Sequence, residues 1–291
     1  MAGFCVLGLL LACISWSRQA SSWESDDAKL YARPYALASY LSIMGAEGIA
    51  QSHWFVESAH RLALSWMRHV PESKRQEYDM ILLVTDPYDL LNAQARLSLR
   101  EVGWILVRVK PLYGIPSASL YLLQNHYTHT AQFTKLRLWT FERYLHILYL
   151  DSDMLIMKDV IHTVSGYNIS RHTLGVARNG DGSDYFNAGL LFITPSRTEY
   201  GLMKQAMLVM NYDASLQEQA FLNVYWKNRT IFMPSELNTF VSSNPTDQLG
   251  DQIIVLHFLG TLKPWFICPF SGPGERGACI EWYSYDRPEA I

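Results

Sequence analysis

Asp151 and Asp153 stand one residue apart in HILYLDSDMLIM (146–157), directly behind an apolar run. In an extended chain, alternate side chains share a face, with Cα atoms roughly 6–7 Å apart. Both carboxylates would then look into one crevice, and Ser152 would turn away. Two buried like charges are costly unless something neutralises them. A divalent cation does so, with phosphates completing its shell. A D-x-D also occurs in ordinary solvated turns, so a second stretch has to weigh in. IIVLHFLGTLKPW (253–265) ends another apolar run in His257, followed by Gly260 and Lys263. Histidine ligates metals, glycine lets backbone approach a phosphate, and lysine supplies positive charge. Taken singly, His257 reads as a hydrogen-bonded structural residue and Lys263 as a solvated one. Together they describe a diphosphate clamp facing a D-x-D cation.

Such groups must be carried by strand ends, and the chain supplies strands. YALASYLSIM, YDMILLVTD, WILVRVKPL and HILYLDSD read as strands. FVESAHRLALSWMRH, DLLNAQARLSLREVG and FTKLRLWTFERY, with apolar residues at helical spacing, read as the helices between them. The interval IMGAEGIAQSH, with two glycines, reads as a separator between the first strand and its helix. In the second half TLGVAR, NAGLLFITPS and QIIVLHFLG predict strands, and RTEYGLMKQAMLVMN and SLQEQAFLNVYW predict helices. The alternation implies one α/β domain, a mostly parallel central sheet with helices on both faces. Ligands in such sheets bind outside the carboxyl ends of the strands, where the two aspartates fall.

Composition narrows the function classes. Of 291 residues 49% are apolar and 18% charged, which supports a sizeable core. The net charge of −3 and the scattered Lys/Arg residues give no basic field for nucleic acid. The 17 tyrosines and 9 tryptophans serve equally as packing or as stacking platforms for sugars or bases. Phe4–Trp16 is an apolar run too short to span a bilayer comfortably, which fits a signal peptide over residues 1–22, although no Lys or Arg precedes it; a short signal anchor is the alternative. Cys268 and Cys279 lie in the tail stretch CPFSGPGERGAC, as a disulfide in a secretory context or as two free thiols in a loop. Sequons at Asn168 and Asn228 agree with the secretory pathway, in the ER or Golgi lumen, or with secretion. The expected division is thus a leader, an α/β domain over 28–266 and a cysteine-containing tail over 267–291.

At the D-x-D and the H-x-x-G-x-x-K-P-W stretches the chain resembles glycosyltransferase family 8, the glycogenin-like group with a GT-A (Rossmann-like) fold. FTKLRLW resembles the family's T-K-L helix, DYFNAGLLFITPS its F-N-[SA]-G strand, LQEQAFLNVYW its D-Q-x-x-L-N helix and ELNTF the turn that follows. The resemblance implies a retaining hexosyltransferase that moves a sugar from a UDP-sugar to a hydroxyl of a glycan, lipid or protein; homodimerisation stays open. It implies Mn²⁺, or Mg²⁺, held by Asp151, Asp153 and His257; an imidazole among carboxylates suits Mn²⁺ better. It also implies that Lys135, Asp151, Ser152, Gly260 and Lys263 bind the nucleotide-sugar. Asn187 and Gln219 would hydrogen-bond donor-sugar hydroxyls, and Glu218 would stand near the anomeric carbon.

Two departures bear on the sugar end. The family's D-Q is Glu218-Gln219 here, and its second acid, three residues earlier, falls on Ser215. These favour an alternative, a non-catalytic nucleotide-sugar-binding relative; the intact D-x-D, His257 and K-P-W oppose it. For the base, Ser39 and Ser42 are candidate polar partners and Tyr40 a candidate stacking ring.

Overall fold

In the computed structural model, β1 (Tyr35–Ser42) and β2 (Tyr78–Thr85) pair in parallel along their whole length, Tyr35 opposite Tyr78 and Ser42 opposite Thr85. The structure describes residues 24–43, 45–86, 89–114, 129–179, 183–241, 250–268 and 277–286; the expected leader lies outside them. β2 is buried at every position, and its apolar run Met80–Val84 suits a strand covered on both faces. β3 (Ile105–Arg108) pairs parallel with β2, and β4 (His146–Leu150) pairs parallel with β1 on the other side. The chain thus runs outward from β1 to β3 and returns to β1 through β4. This reversal of direction opens a crevice at the carboxyl ends of β1 and β4.

β6 (Leu174–Ala177), β7 (Leu190–Ile193) and β8 (Thr230–Met233) complete a seven-stranded sheet ordered β3-β2-β1-β4-β7-β6-β8. β7 is antiparallel to both neighbours, while the other pairings are parallel. The two faces of β1 feed two cores. Leu37 and Leu41 pack with Ala59, Leu62 and Trp66 of α1 (Gly45–His69) and with Leu99. Ala36, Ala38 and Tyr40 pack with Leu136 and Trp139 of a 3-10 helix (His129–Thr140) on the opposite face. That face also receives α5 (Arg197–Val209) and α6 (Gln217–Tyr225), through Met203, Met207, Phe221 and Leu222. The remaining early helices are α2 (Glu72–Arg75), α3 (Ala93–Glu101), capped by the Asn92 side chain, and α4 (Val160–Val164), capped by Asp159. Among the described residues no helix is long and apolar enough to cross a membrane.

Two local expectations are corrected. The interval read as a separator is the start of α1, because its two glycines fall in the first helical turn, where backbone bonds are incomplete anyway. The T-K-L segment winds as a 3-10 helix that ends at Thr140 instead of running to Tyr144; Phe141 N then bonds Leu138 O in an i to i+3 turn.

A second sheet of three very short strands matters more for the site. β5 (Met154–Ile156) pairs antiparallel with β10 (Val255–His257), and β10 pairs parallel with β9 (Thr239–Phe240). His257 stands opposite Met154 in this register. The residues after α7 (Pro264–Ile267) fold back: Cys268 is bonded to Cys279 of α8 (Gly277–Tyr283), and Ala278, Trp282 and Tyr285 enter the first core. Arg61 of α1 donates to the Trp282 carbonyl, so this tail packs as part of the domain.

Candidate functional site

Asp151 leaves β4 at the crevice, its N–H bonded to the Gly189 carbonyl at the start of β7. Residues 152 and 153 form a turn into β5. The extended geometry expected for D-S-D is therefore wrong, since the chain must reverse here to enter the small sheet. The acids still converge, because the β5–β10 pairing sets His257 beside Asp153. One ligand atom from each of Asp151, Asp153 and His257 lies within 4.8 Å of the others. Asp153 and His257 are buried, and Asp151 is partly open to the crevice.

A relay of amides orients the imidazole. Asn238 Nδ2 donates to Asn187 Oδ1 at 3.1 Å, which leaves Asn238 Oδ1 to accept from His257 Nδ1 at 2.9 Å. His257 Nε2 then faces Asp153 Oδ1 at 3.4 Å. Asn187 Oδ1 also accepts from Gly189 N at 2.9 Å, and Asn187 Nδ2 donates to Gln219 Oε1 at 2.9 Å. The partners expected to meet sugar hydroxyls, Asn187 and Gln219, thus bond each other and connect the sugar end to the histidine. Fixing one ring nitrogen by a hydrogen bond is how proteins present the other to a metal. Asn238 was not singled out from sequence as a site residue, although it lies in the quoted ELNTF turn.

Gly189 is a second such residue. A Cβ there would meet His257 Cε1 at 2.6 Å and Asn187 Oδ1 at 2.8 Å, closer than real contacts allow. Gly189→Ala is expected to push the imidazole out of line and to weaken divalent-ion affinity by about 10–100-fold. Titrating Mn²⁺ against the variant checks this; unchanged affinity would separate His257 from the ion.

Lys135 joins the two ends of the site. It is 1% exposed, and Nζ lies 3.2 Å from Asp151 Oδ1 and 2.8 Å from Glu218 Oε1. Burial alone would lower its pKa; the two carboxylate charges outweigh burial and hold the ammonium above its ordinary range. Tyr149, also missed from sequence, donates its hydroxyl to Asp151 Oδ1 at 2.5 Å. Burial, with the Asp151 charge, pushes that phenol well up, so it stays a donor. Asp153 is the converse case. Burial would raise its pKa, yet Lys263 and His257 hold the carboxyl below its usual range.

Lys263 Nζ sits on Asp153 Oδ2 and donates to the Phe258 carbonyl at 2.8 Å. Gly260 has φ +58 with open space around it, so its backbone conformation, not crowding, calls for glycine. Ser152 is buried in the turn. The base-pocket expectations fare worse. Tyr40 is buried in the second core, bonded to Thr85 Oγ1 and the Ala131 carbonyl, and has no face for a base. Ser39 is fully buried in mid-strand. Ser42, at the strand end, accepts from Thr85 Oγ1 at 3.3 Å.

The donor set fits a divalent ion: two carboxylates, an imidazole with its second nitrogen pinned, and a glycine keeping the ring's seat clear. The sheet order and the Asp-Asp-His cluster at its reversal point agree with the GT-A fold that the resemblance implies. The sequence pattern of glycosyl transferase family 8 matches residues 68–267, and the chain belongs to that family. Galactinol synthase 1 of Ajuga reptans is 23% identical over 256 residues, covering 77% of this chain and 69% of that protein. Human glycogenin-2 is 29% identical over 143 residues, covering 45% of this chain and 27% of its own length. Among solved structures, the glycosyltransferase GlyE of Streptococcus pneumoniae superposes with a TM-score of 0.57 at 19% identity, covering 89% of this chain and 62% of that one. The galactosyltransferase LgtC, solved with donor and acceptor sugar analogs, gives 0.52 at 18% identity, covering 79% and 89%. These two likenesses speak to fold.

Proposed function

We propose that this chain is a Mn²⁺-dependent retaining hexosyltransferase that passes a sugar from a UDP-sugar to a hydroxyl acceptor, a glycan, lipid or protein. The observation that carries the reading is the buried Lys135, which ties the ion-side Asp151 to the sugar-side Glu218. The two ends then act as one electrostatic unit. An ion held by Asp151, Asp153 and His257 would offset the charge that develops on the departing diphosphate. Lys263, seated beside that position, adds a positive charge of the protein's own.

Breaking the sugar–phosphate bond leaves positive charge at the anomeric carbon, and the bonding pair departs with UDP. Glu218, buried in the first turn of α6, supplies the opposing negative charge. A carboxylate paired with a buried ammonium at 2.8 Å is a weak nucleophile. This favours same-face attack by the acceptor over a covalent glycosyl-enzyme. The acceptor oxygen forms the new bond as its proton passes to the departing diphosphate. Glu218, one methylene longer than the family's usual acid, serves that role without having to reach the carbon.

The Cys268–Cys279 bond and the exposed sequon residues Asn168 and Asn228 support a place in the secretory pathway. The test is incubation with Mn²⁺ and UDP-glucose, UDP-galactose or UDP-glucuronic acid, following UDP release and the anomeric configuration of the product by NMR. Mn²⁺-dependent release with retained configuration is expected. Donor binding without release or transfer would make the chain a nucleotide-sugar-binding protein instead.

A further inference from the structure

Phe240 closes β9, the edge strand of the small sheet, directly opposite His257 in the β9–β10 register. Register partners present their side chains on one face of a sheet. Phe240 therefore projects on the face that carries the imidazole, and the two rings meet edge to face with centroids 5.9 Å apart. Phe240 is nonetheless 43% exposed. Tyr185, Phe266 and Tyr283 are the other exposed aromatic side chains among the described residues. Of these four, only Phe240 makes a ring contact with the Asp151–Asp153–His257 cluster. An accessible apolar ring thus stands at the rim of the site, against one of its ligands.

A phenyl ring has no polar atom to offer a diphosphate or an ion. The donor is held from that side by the cluster and by Lys263. The acceptor has no such anchor, and contacts of its own must bring its hydroxyl to the anomeric carbon. An aromatic face carries partial negative charge, and the C–H bonds on one side of a pyranose ring carry partial positive charge, so the two stack. A lipid chain would need a continuous apolar groove. At Phe240 the flanking Asn238 is an amide and Val241 is buried, so the ring stands alone. At the other end of the amide relay Tyr185, also exposed, lies beside Gln219. Single rings among amides make a surface for a sugar. We propose that Phe240 is the platform on which a pyranose ring of the acceptor stacks, and that the acceptor is therefore a saccharide and not a lipid chain or a protein side chain. This rests on the reading of the site as a UDP-sugar transferase.

The test measures Mn²⁺-dependent transfer from the UDP-sugar that the wild type hydrolyses fastest. The acceptors are methyl glucosides, methyl galactosides, lactose and maltose, with glycerol and a tyrosine-containing peptide as acceptors that lack a pyranose. Phe240→Ala is expected to raise the KM for the best saccharide by about five- to tenfold, the scale of one aromatic contact, with kcat changed by less than about twofold. The KM for the donor and the affinity for Mn²⁺ should stay as in the wild type. Phe240→Trp should restore the acceptor KM. Phe240→Leu, which keeps apolar bulk without a flat face, should not. Donor KM or Mn²⁺ affinity weakened as much as acceptor KM would overturn the proposal and leave the ring as a prop for His257. Rescue by leucine as full as by tryptophan would overturn it too, and so would donor hydrolysis with transfer to none of the sugars. A wild-type chain that neither binds nor hydrolyses any UDP-sugar would overturn the transferase reading itself.

Discussion

Asp153→Asn is expected to lower Mn²⁺-dependent turnover by about a thousandfold or more, the scale of losing a charged ligand to a Lewis-acidic ion. Asparagine keeps the shape but replaces one ligand oxygen with an amide nitrogen. That nitrogen must face either the Lys263 ammonium or His257 Nε2, and neither arrangement leaves a competent set of ligands. The fold should survive. The backbone bond from Phe258 N to the Asp153 carbonyl, which holds the turn against β10, does not involve the side chain. Lys263 is partly exposed and can turn to water, so the stability loss should fall below the ~3–5 kcal/mol of breaking a fully buried pair. Donor turnover and thermal unfolding of the variant check both halves. Near-normal turnover in Mn²⁺ would show that the triad does not hold the working ion.

Removing Lys135 should be costly in both respects. Lys135→Met leaves Asp151 with the Tyr149 hydroxyl and leaves Glu218, itself buried, without its cation. An uncompensated buried charge costs about 3–5 kcal/mol. Turnover should fall by about 10²–10³-fold, since a preorganised charge at each end of the reaction is lost together. Adding Glu218→Gln to Lys135→Met should recover part of the stability, by removing the stranded charge, and none of the turnover. Denaturant unfolding and donor hydrolysis of the single and the double variant separate these effects. Stability recovered together with activity would deny Glu218 its role at the sugar end.

The large sheet was legible because β1, β2 and β4 are long enough for an apolar run to stand out, and their alternation with helices implies parallel pairing. The small sheet was not. β5, β9 and β10 are three residues or fewer, too short for any periodicity, and their pairing is set by partners far away in sequence. The Asp151–Asp153–His257 cluster was reachable because D-x-D and the histidine stand at the ends of apolar runs and because both stretches resemble the family's. The residues that hold those ligands, Gly189, Asn238 and Tyr149, carry no chemical signal of their own; each matters only through the neighbour the fold supplies. Lys135 was named through the resemblance alone, and its two acid partners are supplied only by the fold. A lysine in a helix pattern reads as solvated until the tertiary structure encloses it between two acids. Tyr40 failed the other way, as an aromatic that looked available and is packed away.

The antiparallel ladder of β5 and β10 has a consequence for synthesis. It joins residues 154–156 to residues 255–257, so the imidazole reaches the acids only after residue 257 has emerged from the ribosome. A nascent chain that stops short of residue 257 would carry both aspartates and lack the imidazole that completes the cluster.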